Sequence, residues 1–244
     1  MNAIAPLYVA PTNPRLWDGE TVVLVGSEAA ARDIAKLSKV GKVLCVGSLF
    51  GLVPQDHVDG FFFGDRQQLN RSKNIIRGIE DCLFFTTDQN ARRYPNLNVL
   101  TQRNVGITLD ESRICFNGSD QGALLNLAVI LGAKTIVLAG FNFLNGANRK
   151  AIKKIHECVR HLNRLKVRVI STDEETALEC FEYIELRRVI TPEDSHPEAM
   201  KILPTVAIDA EDEPVYNEDA PVDAADDDLD FIDDNDETPF PTPS

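Results

Sequence analysis

The stretch Asn117-Gly118-Ser119-Asp120-Gln121-Gly122, "NGSDQG", gathers residue types that either bind anions or cap helices. Read as a cap, Ser119 closes the first turn of a helix and the Asp120 carboxylate complements the helix dipole. Leu124, Leu127, Ala128 and Leu131 then form the buried stripe at i, i+3, i+4 and i+7. Read as a ligand loop, the free N–H groups of the same first turn receive a phosphate. Gly122 favours the ligand reading, because glycine inside a helix costs about 1 kcal/mol relative to alanine and its missing side chain admits a close neighbour, whether strand or phosphate. Asp120 favours the cap, since its carboxylate repels a phosphate. The stretch is neither a G-x-x-x-x-G-K-[ST] nor a G-x-G-x-x-G sequence, so its residue types leave both readings open.

Other polar residues stand where apolar runs stop: Gly26 and Ser27, Gly47 and Ser48, Gly64 and Asp65, Thr86 to Asp88, and Gly140 to Asn142. Each is a candidate for ligand contact, and each is equally a residue suited to turning the chain. The four histidines, His57, His156, His161 and His196, are expected in structural or exposed roles. His156 and His161 lie five apart on a helical segment, whereas metal-binding pairs on a helix prefer i, i+4. No metal and no cofactor are expected.

These residues need elements to hold them. "TVVLV" reads as a strand stopped by Gly26-Ser27, followed by one helix over "EAAARDIAKLSKV" with Ile34, Leu37 and Val40 at helical spacing. "KVLCVGS", "HVDGFFFGD", "DCLFFTTD" and "LNVLTQR" supply further strands, with "RQQLNRSKNIIRGIE" a helix between the third and fourth. After the less regular "NVGITLDESRICF" come the opening motif, its helix and the strand "KTIVLAGFN". A basic helix from about residue 148 to 165 follows, then a strand "KVRVIST", a short helix around "DEETALECF" and a last extended piece "YIELRRVI". Strands that are apolar throughout and alternate with helices predict an α/β, Rossmann-like fold, with a mostly parallel sheet covered by helices on both faces. In such folds ligands bind at the carboxyl ends of the strands, near the point where strand order reverses.

The segment "NGSDQGALLNLAVILGAKTIVLAGFNF" resembles one found in the Rossmann-like superfamily of the DUF115/MptE-like proteins and the bacterial family-42 sialyltransferases, of general form G-S-x-G followed by "A-x-x-L-A-x-x-L-G-A-K-x-I-x-L-x-G-F-D". "TVVLVGS" is similar to the superfamily's opening strand and Gly-rich donor loop, "FFFGD" to its strand ending in an acidic residue, and "KVRVISTDEETALECFEYIEL" to its closing strand, turn and helix. The resemblance runs from about Thr21 to Leu186 and is distinctive over 117–143. It implies a nucleotide-type ligand and transferase ancestry, with glycosyl- or phosphoryl-transfer activity. It would place Gly26 and Ser27 near the donor and Asn117, Gly118 and Ser119 around its base, ribose or phosphate. Gly122 would lie at the close approach, with Asp65 and Asn142 facing the same cleft. The chain departs from the family pattern at Gly26-Ser27-Glu28-Ala29-Ala30, where members usually carry Gly-Asn-Gly-Pro-Ser, and at Asn142, which stands for an aspartate. The sialyltransferases use a histidine as general base soon after that strand; this chain has Asn145, Gly146, Ala147 and Asn148 there. Arg66 and Arg103 are the basic residues whose positions bear on an enzymatic cleft.

Charge is unevenly distributed. Of 38 acidic residues 15 follow Lys201, with no basic residue among them, so residues 1–201 carry 25 basic against 23 acidic side chains, a net charge of about +2. The division expected is a Rossmann-like domain over 1–201 and a disordered acidic tail over 202–244, where like charges repel and too few large apolar groups offset chain entropy. The tail is either a solvated, solubilising segment or a recruiting one, whose Leu229, Phe231, Ile232 and Phe240 dock into a basic, apolar groove on a protein partner. "DDNDETPF" resembles the acidic tip of bacterial single-stranded-DNA-binding proteins, with Pro241-Thr242-Pro243-Ser244 added beyond Phe240. Nucleic-acid binding by the body is not expected, because the tail offsets basic positions such as Arg149, Lys150, Lys153 and Lys154. Five cysteines without a C-x-x-C pair fit a reducing compartment. No run approaches the length of a membrane span, and a cytoplasmic location is expected. The rival to a nucleotide-binding transferase is a non-enzymatic interaction protein with a degenerate cleft.

Overall fold

The strand β1 (Thr21–Val25) is buried along nearly its whole length and has neighbours on both edges. It pairs in parallel with β2 (Lys42–Val46) on one side and with β8 (Thr135–Ala139) on the other, Val23 facing Val43 and Val137. The computed structural model describes residues 15–79, 81–94, 96–143 and 149–190. The expected acidic tail, His196 and residues 145–148 lie outside the described residues.

Beyond β2 the sheet continues through β3 (Gly60–Phe63), β4 (Leu83–Thr86) and β5 (Asn98–Val99). Beyond β8 it continues through β9 (Arg168–Ser171) and β10 (Glu182–Tyr183). The order β10-β9-β8-β1-β2-β3-β4-β5 is parallel throughout, the Rossmann-like α/β architecture expected from alternating apolar strands and helices. Chain order runs outward in one direction from β1 to β5 and in the other from β8 to β10, so it reverses between β1 and β8. Crossovers of one hand that travel in opposite directions put their helices on opposite faces.

The strands are buried because both faces are covered. Phe61, Phe63 and Phe84 pack with Phe50, Phe61 and Phe84 stacking at 6.1 Å between centroids and Phe50 meeting Phe61 edge-on at 5.2 Å. Helix α4 (Asp120–Ile130) is buried from Gly122 to Ile130 on every side, which a narrow apolar stripe does not require. It lies over β1, β2 and β3 and against β7 (Arg113–Cys115). Helix α3 (Arg66–Ile76) buries Leu69 and Ile76, and α5 (Arg149–Arg164) buries Ala151, Ile155, Cys158 and Leu162 at helical spacing.

Four local expectations change. The helix expected over 28–40 is two four-residue turns, α1 (Glu28–Ala31) and α2 (Ile34–Leu37). They are broken at Asp33, whose carboxylate takes the Lys36 ammonium at 2.6 Å instead of sitting in a helix interior. "LNVLTQR" is not one strand: β5 joins the main sheet, and β6 (Thr101–Arg103) pairs with β7 in a separate parallel ribbon. The short helix expected at "DEETALECF" is absent, because Thr172, Asp173 and Thr176 spend their side chains on the backbone of residues 138–141. The last extended piece shortens to β10, and α6 (Leu186–Ile190) follows it.

Candidate functional site at the carboxyl ends of the strands

Strand order reverses between β8 and β1, with Gly26-Ser27 at the carboxyl end of β1 and Gly140 at that of β8, the place in such sheets outside which ligands are received. The two ends touch, since the Gly26 N–H donates to the Ala139 carbonyl at 2.9 Å and a β-carbon on Gly140 would collide with the Ser27 side chain. Ser27 is half-buried and caps α1, its Oγ accepting the Ala30 N–H at 3.4 Å. Asn142 is exposed on the loop that leaves β8.

The first turn of α4 sits over this edge and is fastened to two strands. Gln121 Nε2 donates to the Gly26 carbonyl at 3.4 Å, at the end of β1. The Asp120 carboxylate accepts the Gly64 N–H, at the end of β3, and lies where a Gly64 side chain would be. Burial pushes the Asp120 carboxyl up to about 6, the Gly64 N–H opposes that rise, and the neighbouring Asp65 carboxylate adds to it. Asp65 is exposed and caps α3, accepting the Gln67 N–H at 2.7 Å. Arg66 projects from the same end of the sheet and pairs with Asp88, beyond β4, at 3.5 Å. Arg103 is exposed on β6.

The remaining residues of "NGSDQG" are employed inside the protein. Asn117 is fully buried in the left-handed region at φ 52°. Its Oδ1 accepts the Gly106 N–H at 2.8 Å, and its Nδ2 reaches the carbonyls of Gly106, Cys115 and Gly122 at 3.0–3.3 Å. Ser119 is the N-cap, its Oγ accepting the Gly122 N–H at 3.0 Å. A β-carbon at Gly122 would lie 2.7 Å from Asn117 Cβ and 2.8 Å from the Phe116 carbonyl oxygen, so the close approach that this glycine permits is that of the preceding loop. Gly118 is exposed, with its α-carbon side against Ala151 of α5. The structure thus gathers Gly26, Ser27, Asp65 and Asn142 around the strand ends and sets Asn117, Ser119 and Gly122 behind them as the frame of α4.

Two residues that sequence reading did not select complete the edge. Gln121 carried no signal beyond its place in the motif. Asp173, in the polar run after β9, accepts the Gly140 N–H at 3.2 Å and the Phe141 N–H at 2.7 Å. Burial raises its carboxyl above the ordinary value against the pull of those two donors. Among the described residues no three His, Cys, Asp or Glu side chains are grouped to hold a metal ion.

A cavity of about 660 Å³ opens at the opposite edge of the sheet, lined by Ser38, Lys42, His57, Asp59 and their neighbours before β2, β3 and β4. Within it Lys42 pairs with Asp59 at 3.0 Å and His57 meets Ser38 at 3.4 Å. Strand polarity, not volume, decides between the two edges, because backbone donors and loop ends of a parallel sheet converge at its carboxyl side. No helix among the described residues is long and apolar enough to cross a membrane.

No protein-family model matches the sequence, and no curated protein matches it significantly. Among solved structures the chain is similar to the sialyltransferase CstII from Campylobacter jejuni, solved in complex with a substrate analogue, cytidine-5'-monophosphate. The two share 13% identity over 67% of this chain and 84% of that one, with a TM-score of 0.42.

Proposed function

We propose that the crevice at the carboxyl ends of β1 and β8 holds a nucleotide or nucleotide-sugar, and that the chain is of transferase ancestry with glycosyl- or phosphoryl-transfer activity. The observation that carries this reading is the reversal of strand order between β8 and β1, the place where open parallel sheets receive such ligands. The resemblance of residues 117–143 to the DUF115/MptE-like and family-42 sialyltransferase segment supports it. In this reading Gly26, Ser27, Asp65, Gly118 and Asn142 meet the ligand, while Asn117, Ser119 and Gly122 hold α4 in register beneath it. Carboxylates accept hydroxyl protons, so Asp65 suits a ribose or sugar hydroxyl better than a phosphate.

A second reading is favoured by one specific observation. The N–H groups of Gly122, Gly140 and Phe141, which would receive an anion, are already taken by Ser119 and Asp173. A cleft so closed from within suits a non-enzymatic interaction protein, with the acidic segment around Leu229, Phe231, Ile232 and Phe240 recruiting the partner. Thermal-shift measurement of the full chain against CMP, CDP, UDP, GDP and ATP compounds, with and without Mg²⁺, separates the two. The first reading expects stabilisation by at least one compound, and a flat response across all of them leaves the second.

A further inference from the structure

The segment after β9 is stitched across the end of β8 by three side chains, and a fourth braces it from β9. Thr172 Oγ1 donates to the Leu138 carbonyl at 2.9 Å and Thr176 Oγ1 to the Phe141 carbonyl at 3.2 Å. Ser171 Oγ accepts the Asp173 N–H at 3.3 Å. Between them the Asp173 carboxylate takes two consecutive amides with separate oxygens, Oδ1 from Gly140 and Oδ2 from Phe141. Consecutive N–H groups converging on one anion, with a left-handed residue in the pair (Gly140, φ +74°), make a backbone nest of the kind that binds phosphate. Its place at the reversal of strand order is where a ligand phosphate would be sought.

We propose that the Gly140–Phe141 amide pair is an anion site whose resident anion is Asp173. Asp173 would thereby make the crevice select the uncharged nucleoside or sugar part of its ligand over a phosphate. The selectivity rests on the nucleotide reading above. A phosphate brought to this nest must displace a carboxylate that two amides and two flanking threonines hold in place, and otherwise it meets like charge. An uncharged polyol meets neither obstacle. An ionised carboxylate has about four acceptor positions, of which Asp173 spends two on the amides, and those left can receive vicinal hydroxyls. Asp65 at the end of β3, an exposed carboxylate on the same side of the sheet, adds negative charge there.

The test has two arms on the full chain. In the first, Asp173→Ala and Asp173→Asn are melted in sodium formate, phosphate or sulfate, against sodium chloride of matched ionic strength. Formate or phosphate is expected to raise the Tm of Asp173→Ala by at least about 2 °C by filling the vacated nest, and to leave the parent unchanged. Asp173→Asn keeps one acceptor and folds if Asp173→Ala does not; it is expected to show a smaller shift in the same direction. Equal response of parent and variants overturns the nest. In the second arm, cytidine and uridine are compared with CMP and UMP on the parent. Nucleoside and monophosphate are expected to bind within about threefold of each other, and 2′,3′-dideoxycytidine at least about tenfold more weakly than cytidine, as loss of a hydrogen bond to a charged group requires. A monophosphate bound tenfold more tightly than its nucleoside overturns the selectivity and leaves the nucleotide reading standing. Failure of all of them to bind removes the selectivity together with that reading, and the anion arm then decides the nest alone.

Discussion

The carboxylate of Asp120 occupies the space that a side chain at Gly64 would fill, and it accepts the Gly64 N–H. A carboxylate in the first turn of α4 is thus bound to the end of β3, fifty-six positions earlier in the chain, which joins the helix to the edge where the candidate site lies. The favourable field of a helix N-terminus and the cost of burial act in opposite directions on this group, and burial prevails.

That balance has a pH signature. The folded-state pKa of Asp120 lies above its unfolded value, so its contribution to stability is complete below about pH 4 and is lost as pH rises through about 6. Asp120→Asn keeps an acceptor for Gly64 and removes the charge. Relative to the parent it is expected to gain about 1–3 kcal/mol between pH 4 and pH 6 and no more above that. Urea unfolding of both proteins at pH 4, 5, 6 and 7 reads the difference, and a constant offset would show that Asp120 titrates normally.

The contact itself is measurable in a double-mutant cycle. Gly64→Ala drives a methyl group into the carboxylate and is expected to cost about 1–3 kcal/mol, the usual range for overpacking. Asp120→Ala in the same chain removes the obstacle, so the pair should be less destabilised than the sum of the single variants. Strict additivity would mean that the two residues do not meet.

Within "NGSDQG" the structure predicts a ranking. Ser119→Ala removes one cap hydrogen bond and should cost about 1 kcal/mol. Asn117→Ala should cost more, about 3 kcal/mol, because it takes a partner from the buried carbonyls of Cys115 and Gly122 and from both backbone groups of Gly106, and also puts alanine in the left-handed region. Chemical denaturation of the two variants gives both figures, and the reverse order would mean that the Asn117 network carries little.

The acidic segment is expected to be dispensable for folding. A chain ending at Leu203 should melt within a few degrees of the full chain, because the segment lacks apolar periodicity. The same truncation takes net charge from −13 to about +2 and should increase retention on heparin at low salt. Loss of a cooperative transition would show that residues 204–244 belong to the folded core.

The sheet was legible because its strands are apolar throughout, and "TVVLV", "KVLCV" and "TIVLA" became β1, β2 and β8 at the positions expected. Strand order was not legible, since nothing in a local sequence says that β8 pairs with β1. The opening motif starts a helix in both of its readings, and Ser119 caps it as the first of them expects. The reason for Gly122 was hidden, because it depends on where Asn117 and Phe116 turn back, a matter of loop path and not of residue type. Asp173 was missed for the same reason: its partners are 32 and 33 residues away, and its neighbours Thr172 and Thr176 give the stretch the look of an ordinary polar turn.

The central claim, that a nucleotide-type ligand enters at the carboxyl ends of β1 and β8, is tested most directly by hydrogen–deuterium exchange of the full chain with and without the compound that most raises its Tm. The account predicts added protection over residues 26–30, 64–67 and 140–143, with residues 38–42 and 55–59 at the opposite edge unchanged. Protection centred on 38–42 and 55–59, or none from any nucleotide at saturating concentration, would contradict it.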